Sequence, residues 1–189
     1  THRKVYVFFI SCLAASISLG KVPMSLSLIG LTINWLLESN FQLKWKKIKD
    51  QKYLPIIFSG LFLIELLWLP ISKDTTIGLN VLRIKLPLLL LPLIIGSCTS
   101  ISKREWKTIT TTFFIGILVS TIWVYLVSLE VLPTKKDSGT VRDASIFMSH
   151  IRYSVLLSFS AVLILCLAFK NLTNKLIAVI IFLWLFFLI

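Results

Sequence analysis

The chain is poor in the residues from which soluble active sites are usually assembled. Its 189 residues include three cysteines, two histidines and eight acidic residues. Cys12, Cys98 and Cys166 stand far apart, and His2 and His150 are isolated, so no pair has the spacing of a zinc or iron–sulfur ligand set. No resident metal and no other cofactor is expected. Each cysteine lies in or beside an apolar run, where a thiol serves as a small buried apolar side chain. A Gly-rich phosphate loop, paired catalytic carboxylates, a serine-nucleophile elbow and an Asp-x-Asp metal motif are all missing. Charge itself is scarce, at 15% of residues against about 25% in soluble domains.

What fills the chain instead is hydrocarbon. Hydrophobic residues make up 57% and the mean hydropathy is +0.90. From Ile109 to Leu129 there are 21 positions without a charge. At ~1.5 Å per residue such a helix crosses a hydrocarbon slab of roughly 30 Å. The expected fold is therefore all-α, a polytopic transmembrane helix bundle with the lipid bilayer as its first partner. Secreted, disordered and nucleic-acid-binding readings fall away, and the net charge of +12 requires a membrane explanation.

Apolar runs bounded by charge, Pro or Gly number seven: Val5–Leu19, Val22–Leu37, Tyr53–Leu69, Leu86–Cys98, Ile109–Leu129, Tyr153–Phe169 and Leu176–Ile189. Several are shorter than a full span, so their helices are expected to extend into polar flanks. Gly20-Lys21-Val22-Pro23 reads as a tight turn between the first two, with Gly ending one helix and Pro fitting the first turn of the next. The organisation expected is two spans in 1–37, a basic cytoplasmic loop in 38–52, spans three to five in 53–129, an outer loop in 130–149, and spans six and seven in 150–189. Thr1 in place of Met and the uncharged run still in progress at Ile189 suggest a fragment of a longer protein.

With the N-terminus inside, the inner loops hold twelve Lys and Arg and the outer loops eight, which favours this orientation. The strongest contribution is Phe41–Tyr53, with five lysines and one aspartate. It reads as a topology signal that also meets anionic lipid. The eight cations left outside include two clusters: Arg83 with Lys85, and the stretch from Lys135 to Arg152 that contains Arg142. Cations on the side where topology disfavours them point to an anionic ligand there, with interfacial snorkelling as the alternative.

The segment Ser149-His150-Ile151-Arg152-Tyr153-Ser154 opens the sixth apolar run directly after the longest polar connection. Ser149, Arg152 and Tyr153 are three and four apart and can share a helix face, whereas His150 and Arg152 cannot. Free N–H groups at a helix start, together with Arg152, suit a phosphate; an interfacial anchor is the competing reading. His150 is a weaker candidate for the same site. Glu65, deep in the third run, needs a partner, and Lys85 or Arg83 is expected to supply it as a structural pair. Pro87 is expected in the first turn of a helix that starts at Lys85 or Leu86.

The order of these features resembles the N-terminal half of the O-antigen ligase family, in its Bacteroidetes-like version. The resemblance rests on Asn34-Trp35-Leu36-Leu37-Glu38 before the Lys-rich loop, Glu65-Leu66-Leu67-Trp68, Ile77-Gly78-Leu79, the run from Leu82 through Lys85-Leu86-Pro87 to Ile94, and Phe147-Met148-Ser149-His150-Ile151-Arg152-Tyr153-Ser154. It covers nearly the whole chain, and the Lys85 and Arg152 segments are its most specific parts. Arg83 stands where the family pattern has an acidic or small residue. The resemblance implies a metal-independent, inverting glycosyltransferase of the bacterial inner membrane. Such an enzyme moves a glycan from undecaprenyl diphosphate to a lipid A–core sugar hydroxyl at the periplasmic face. On this resemblance Arg152 is the expected diphosphate ligand, with Lys85, Arg83, Arg142 and His150 as further candidates from the residues themselves. The resemblance places the catalytic base outside these residues, so that the fragment alone is not expected to be active. A polysaccharide polymerase of the same superfamily, a lipid-linked sugar flippase or other transporter, and a non-catalytic scaffold are the alternatives.

Overall fold

The computed structural model describes residues 2–71, 75–98, 100–129, 149–169 and 175–188. Among them every regular element is helical. They are α1 (His2–Leu19), α2 (Lys21–Leu37), α3 (Phe41–Asp50), α4 (Leu54–Trp68) with a 3-10 turn at Leu69–Ile71, α5 (Thr75–Ser97), α6 (Lys103–Ser128), α7 (His150–Phe169) and α8 (Lys175–Leu188). Each of the seven apolar runs falls on a helix. Three helices are long and apolar enough to cross a membrane, Thr75–Ser97, Lys103–Val127 and Ile151–Phe169, or four if α3 and α4 form one span bent by 97°. The polar flanks do join the helices: α5 begins at Thr75 rather than Leu86, and α6 at Lys103 rather than Ile109. Pro87 therefore lies inside α5, as does Pro92, and not in its first turn.

The basic segment expected as a loop is largely a helix, α3. Its Lys-rich sequence obscures a two-sided pattern in which Lys44 and Ile48 are buried together. Lys52 and Tyr53 both take left-handed backbone angles, with φ of 51° and 58°, and this pair makes the sharp corner into α4.

The chain divides into two compact units, residues 1–6 with 28–101 and residues 7–27 with 102–189. In the first, α4 and α5 form an antiparallel hairpin held at three levels. Pro55 packs on Gly96, the Ser59 hydroxyl donates to the Leu89 carbonyl at 3.0 Å, and Glu65 pairs with Lys85. Around the Ser97 end of the hairpin the Asn34-Trp35 pair makes side-chain bonds to distant segments. Trp35 Nε1 donates to Ser97 Oγ at 2.6 Å, and Asn34 Nδ2 donates to the His2 carbonyl at 3.3 Å. Arg3 reaches the Ser100 carbonyl at 2.8 Å.

In the second unit the core is built from α6, α7 and α8, with Phe113, Phe114, Ile117, Leu157, Ile164 and Leu185 among its members. Several of its buried hydroxyls are satisfied within their own helices: Ser120 donates to the Ile117 carbonyl and Ser160 to the Leu156 carbonyl, the usual solution where water is excluded. The buried Ser11 hydroxyl has no partner among the described residues. Trp184 Nε1 donates to Thr121 Oγ1 at 3.1 Å, tying α8 to α6. A capping box of Ser102 and Glu105 starts α6. α8 buries Ala178 and Leu185 but leaves Val179, Ile180 and Leu183 exposed, an apolar flank of the kind lipid covers.

Close helix approach in this unit depends on Gly116. A Cβ there would lie 2.5 Å from the Ala15 carbonyl oxygen and 2.8 Å from its Cα. Backbone cannot move aside as a side-chain tip can, so Gly116→Ala is expected to lose about 1–3 kcal/mol of stability. Gly60 has nothing within 4 Å of the same added atom, so Gly60→Ala is the matched control. Unfolding of both variants in detergent checks the difference.

Candidate functional site

Gly20 breaks α1 from α2 with φ of 116°, a backbone state open to glycine and strained for other residues. Lys21 then opens α2, and Pro23 follows in its first turn. Within the second unit this corner faces the start of α7, and together they line a cavity of about 1080 Å³. Lys21 and Arg152 line it with Ser149 and Pro23, while Leu156 and Phe159 add apolar wall. Both cations are exposed. The unpaired N–H groups of a helix start add partial positive charge beside Arg152. The arrangement can hold an anionic group against the two cations and a hydrocarbon segment along the wall.

The sequence placed Ser149, Arg152 and Tyr153 on one face, and the structure separates them. Ser149 and Arg152 line the cavity, but Tyr153 is buried, with its hydroxyl 3.4 Å from Ser120 Oγ. Lys21 was not singled out as a site residue. The available signal was its place in a Gly-Lys-x-Pro turn counted on the same membrane side as Arg152. Arg142 and most of the 130–149 loop lie outside the described residues, and so does the side chain of His150.

Lys85 and Arg83 belong to the first unit. Both sit well inside α5 and not at its start, so the expected N-terminal cation cluster does not form there. Lys85 is taken up by Glu65, each side chain about 40% exposed (40% and 39%). Arg83, two residues away, is exposed.

The cysteines correct another expectation. Cys12 and Cys98 are half-buried and Cys166 is exposed, so none is the buried apolar side chain anticipated. Burial still pushes the Cys98 thiol above its usual range, which leaves it a poor nucleophile. Among the described residues no three His, Cys, Asp or Glu side chains converge as a metal site would require.

Fold and cavity together define a helical membrane protein with an amphiphilic groove whose polar end is cationic. No family model, no curated protein and no solved structure matches the chain.

The Glu65–Lys85 pair generates a test of hairpin stability. Lys85→Met leaves a carboxylate among apolar side chains and is expected to lose about 1–3 kcal/mol. Adding Glu65→Gln should restore much of that loss. A double-mutant cycle on the unfolding free energy measures the coupling; independent, additive effects would show that the pair contributes nothing.

Proposed function

We propose that the groove binds a lipid-linked glycan by its diphosphate, and that the protein is an O-antigen ligase-like membrane glycosyltransferase. The observation carrying this reading is the union of Lys21 and Arg152 with apolar walls in one cavity. A polyprenyl diphosphate has the matching halves, a dianionic link and a hydrocarbon chain. The family resemblance of the Ser149–Ser154 segment adds the glycan and the acceptor. Undecaprenyl diphosphate is then the leaving group, and a lipid A–core sugar hydroxyl is the nucleophile.

In the transfer the bond between the anomeric carbon and the diphosphate oxygen breaks, and the acceptor oxygen bonds to that carbon from the opposite face. The acceptor proton passes to a base not assigned among these residues. Negative charge grows on the diphosphate as the bond breaks. Arg152 meets two of its oxygens with a planar fork, and Lys21 adds a compact charge. A polymerase of the same superfamily would use its donor identically and differ only in acceptor. In this reading the membrane is the bacterial inner membrane, the N-terminus is cytoplasmic and the groove opens to the periplasm.

Glycan transfer in cells whose chromosomal copy carries Arg152→Ala is expected to fall by roughly 30- to 1,000-fold, the equivalent of about 2–4 kcal/mol of transition-state stabilisation. Arg152→Lys should rescue poorly, because a point charge cannot replace the fork. Lys21→Ala should show a smaller loss of the same kind. Near-normal transfer at normal protein level would reduce Arg152 to a membrane anchor.

Orientation has a separate test, in a background with Cys12, Cys98 and Cys166 changed to Ser. An impermeant thiol reagent should label Ser138→Cys, and not Ser39→Cys, in intact spheroplasts. The opposite pattern would place the groove on the wrong side for a periplasmic acceptor.

A further inference from the structure

The helix α3 is the one strongly basic element among the described residues, and its setting in the first unit gives it a direction. α5 is long and apolar enough to span the bilayer, and α4 runs antiparallel to it. α3 meets α4 at 97°. A helix perpendicular to a span lies along the membrane surface, here at the Leu54 and Ser97 end of the hairpin. The corner is firm, with Tyr53 N–H bonded to the Ile48 carbonyl at 3.1 Å through the two left-handed residues.

The faces of α3 fit that placement. Lys44 and Ile48 point inward and are buried. Lys44 is committed there: it donates to the Trp35 carbonyl, lies 3.5 Å from Glu38 and sits over the rings of Trp35 and Phe41. At roughly 100° per residue, Trp45 falls on one flank of that inward direction and Leu43 with Lys47 on the other, while Lys46 points away. Trp45 and Leu43 are 51% and 55% exposed. An exposed Trp on one side and an exposed Leu further round on the other are apolar residues of the kind that sit at the headgroup boundary. Lys46, Lys47, Lys49 and Lys52 against Asp50 leave three net positive charges in seven residues of the same segment.

We propose that α3 is an in-plane interfacial helix that binds the acidic phospholipid headgroups of the leaflet it lies on, with Trp45 and Leu43 seated at the boundary and Lys46, Lys47, Lys49 and Lys52 as the headgroup ligands. The inference holds for either orientation of the chain and does not depend on the glycan-transfer reading. Charge complementarity decides the occupant. A polybasic segment held against a bilayer meets anionic lipid at high local concentration, and each lysine near such a surface strengthens the attachment by about five-fold.

The test is hydrogen–deuterium exchange of the 41–52 backbone, with the whole chain in nanodiscs. One set of discs contains phosphatidylcholine alone; the other has about one third phosphatidylglycerol. The 41–52 amides should exchange at least about five-fold more slowly in the acidic discs. The protection should disappear at high salt and in the Lys46→Gln, Lys47→Gln, Lys49→Gln, Lys52→Gln variant, and survive when the same four positions are Arg. Exchange in α4 and α5 serves as the folding control, since those helices should be equally protected in every variant. Equal exchange of 41–52 in the two lipids would overturn the proposal. Protection that follows the number of chains per disc would overturn it too, because a second copy would then be the occupant.

Discussion

A buried ammonium organises the first unit. Lys44 is 4% exposed, and a charge that far from water must be surrounded by groups that replace its hydration. The Trp35 carbonyl, the Glu38 carboxylate and two aromatic faces do so. Two of those groups come from the last turns of α2, and the carboxylate directly follows that helix. Satisfying Lys44 therefore docks α3 across the end of α2. The same Trp35 then reaches Ser97 at the end of α5, and its neighbour Asn34 holds His2. In this way Asn34-Trp35-x-x-Glu38 joins four helices through polar contacts, in a region whose apolar surfaces provide little specificity of their own. Hydrocarbon packs against lipid about as well as against hydrocarbon, so geometry here depends on the few polar groups that have only one good partner.

The second unit meets the same constraint with smaller groups. The buried hydroxyls of Ser120, Thr121 and Ser160 return to carbonyls of their own helices and leave those surfaces smooth. Smooth surfaces can approach closely, as Gly116 does against the Ala15 backbone. The first unit is thus held by specific bonds and the second chiefly by shape.

Helix positions were legible in the sequence because an uncharged run of that length has few other stable forms in a membrane. The boundaries were less legible where charge was taken as an edge. Arg83 and Lys85 looked like the start of a span, yet α5 continues eleven residues N-terminal of Leu86, because Lys85 is neutralised by Glu65 and need not reach water. That Glu65 required a cation partner was readable, since a lone carboxylate in an apolar run leaves few options. α3 was hidden for the opposite reason: five lysines in twelve positions from Phe41 look like loop, and only burial shows that Lys44 belongs to the inner face. At the groove, Arg152 was visible from its place at a helix start. Lys21 was not, because its proximity to Arg152 arises from tertiary packing within the second unit.

Neutralisation also separates the basic residues by what remains for them to do. Lys44 and Lys85 each have a carboxylate within ion-pair distance, and their charges are consumed in holding helices together. Among the described residues no acidic side chain pairs with Arg152 or Lys21. Two like charges lining one cavity repel each other, and the partial positive charge of the α7 start adds to that repulsion. An anion would relieve that repulsion, and a mobile one would do so without binding the helices to one another. The contrast is between cations with built-in partners, which stabilise, and cations with no acidic partner among the described residues, to which the proposed function assigns an incoming anion. In the proposed reading, the apolar wall of Leu156 and Phe159 beside the two cations suits an anion that carries its own hydrocarbon.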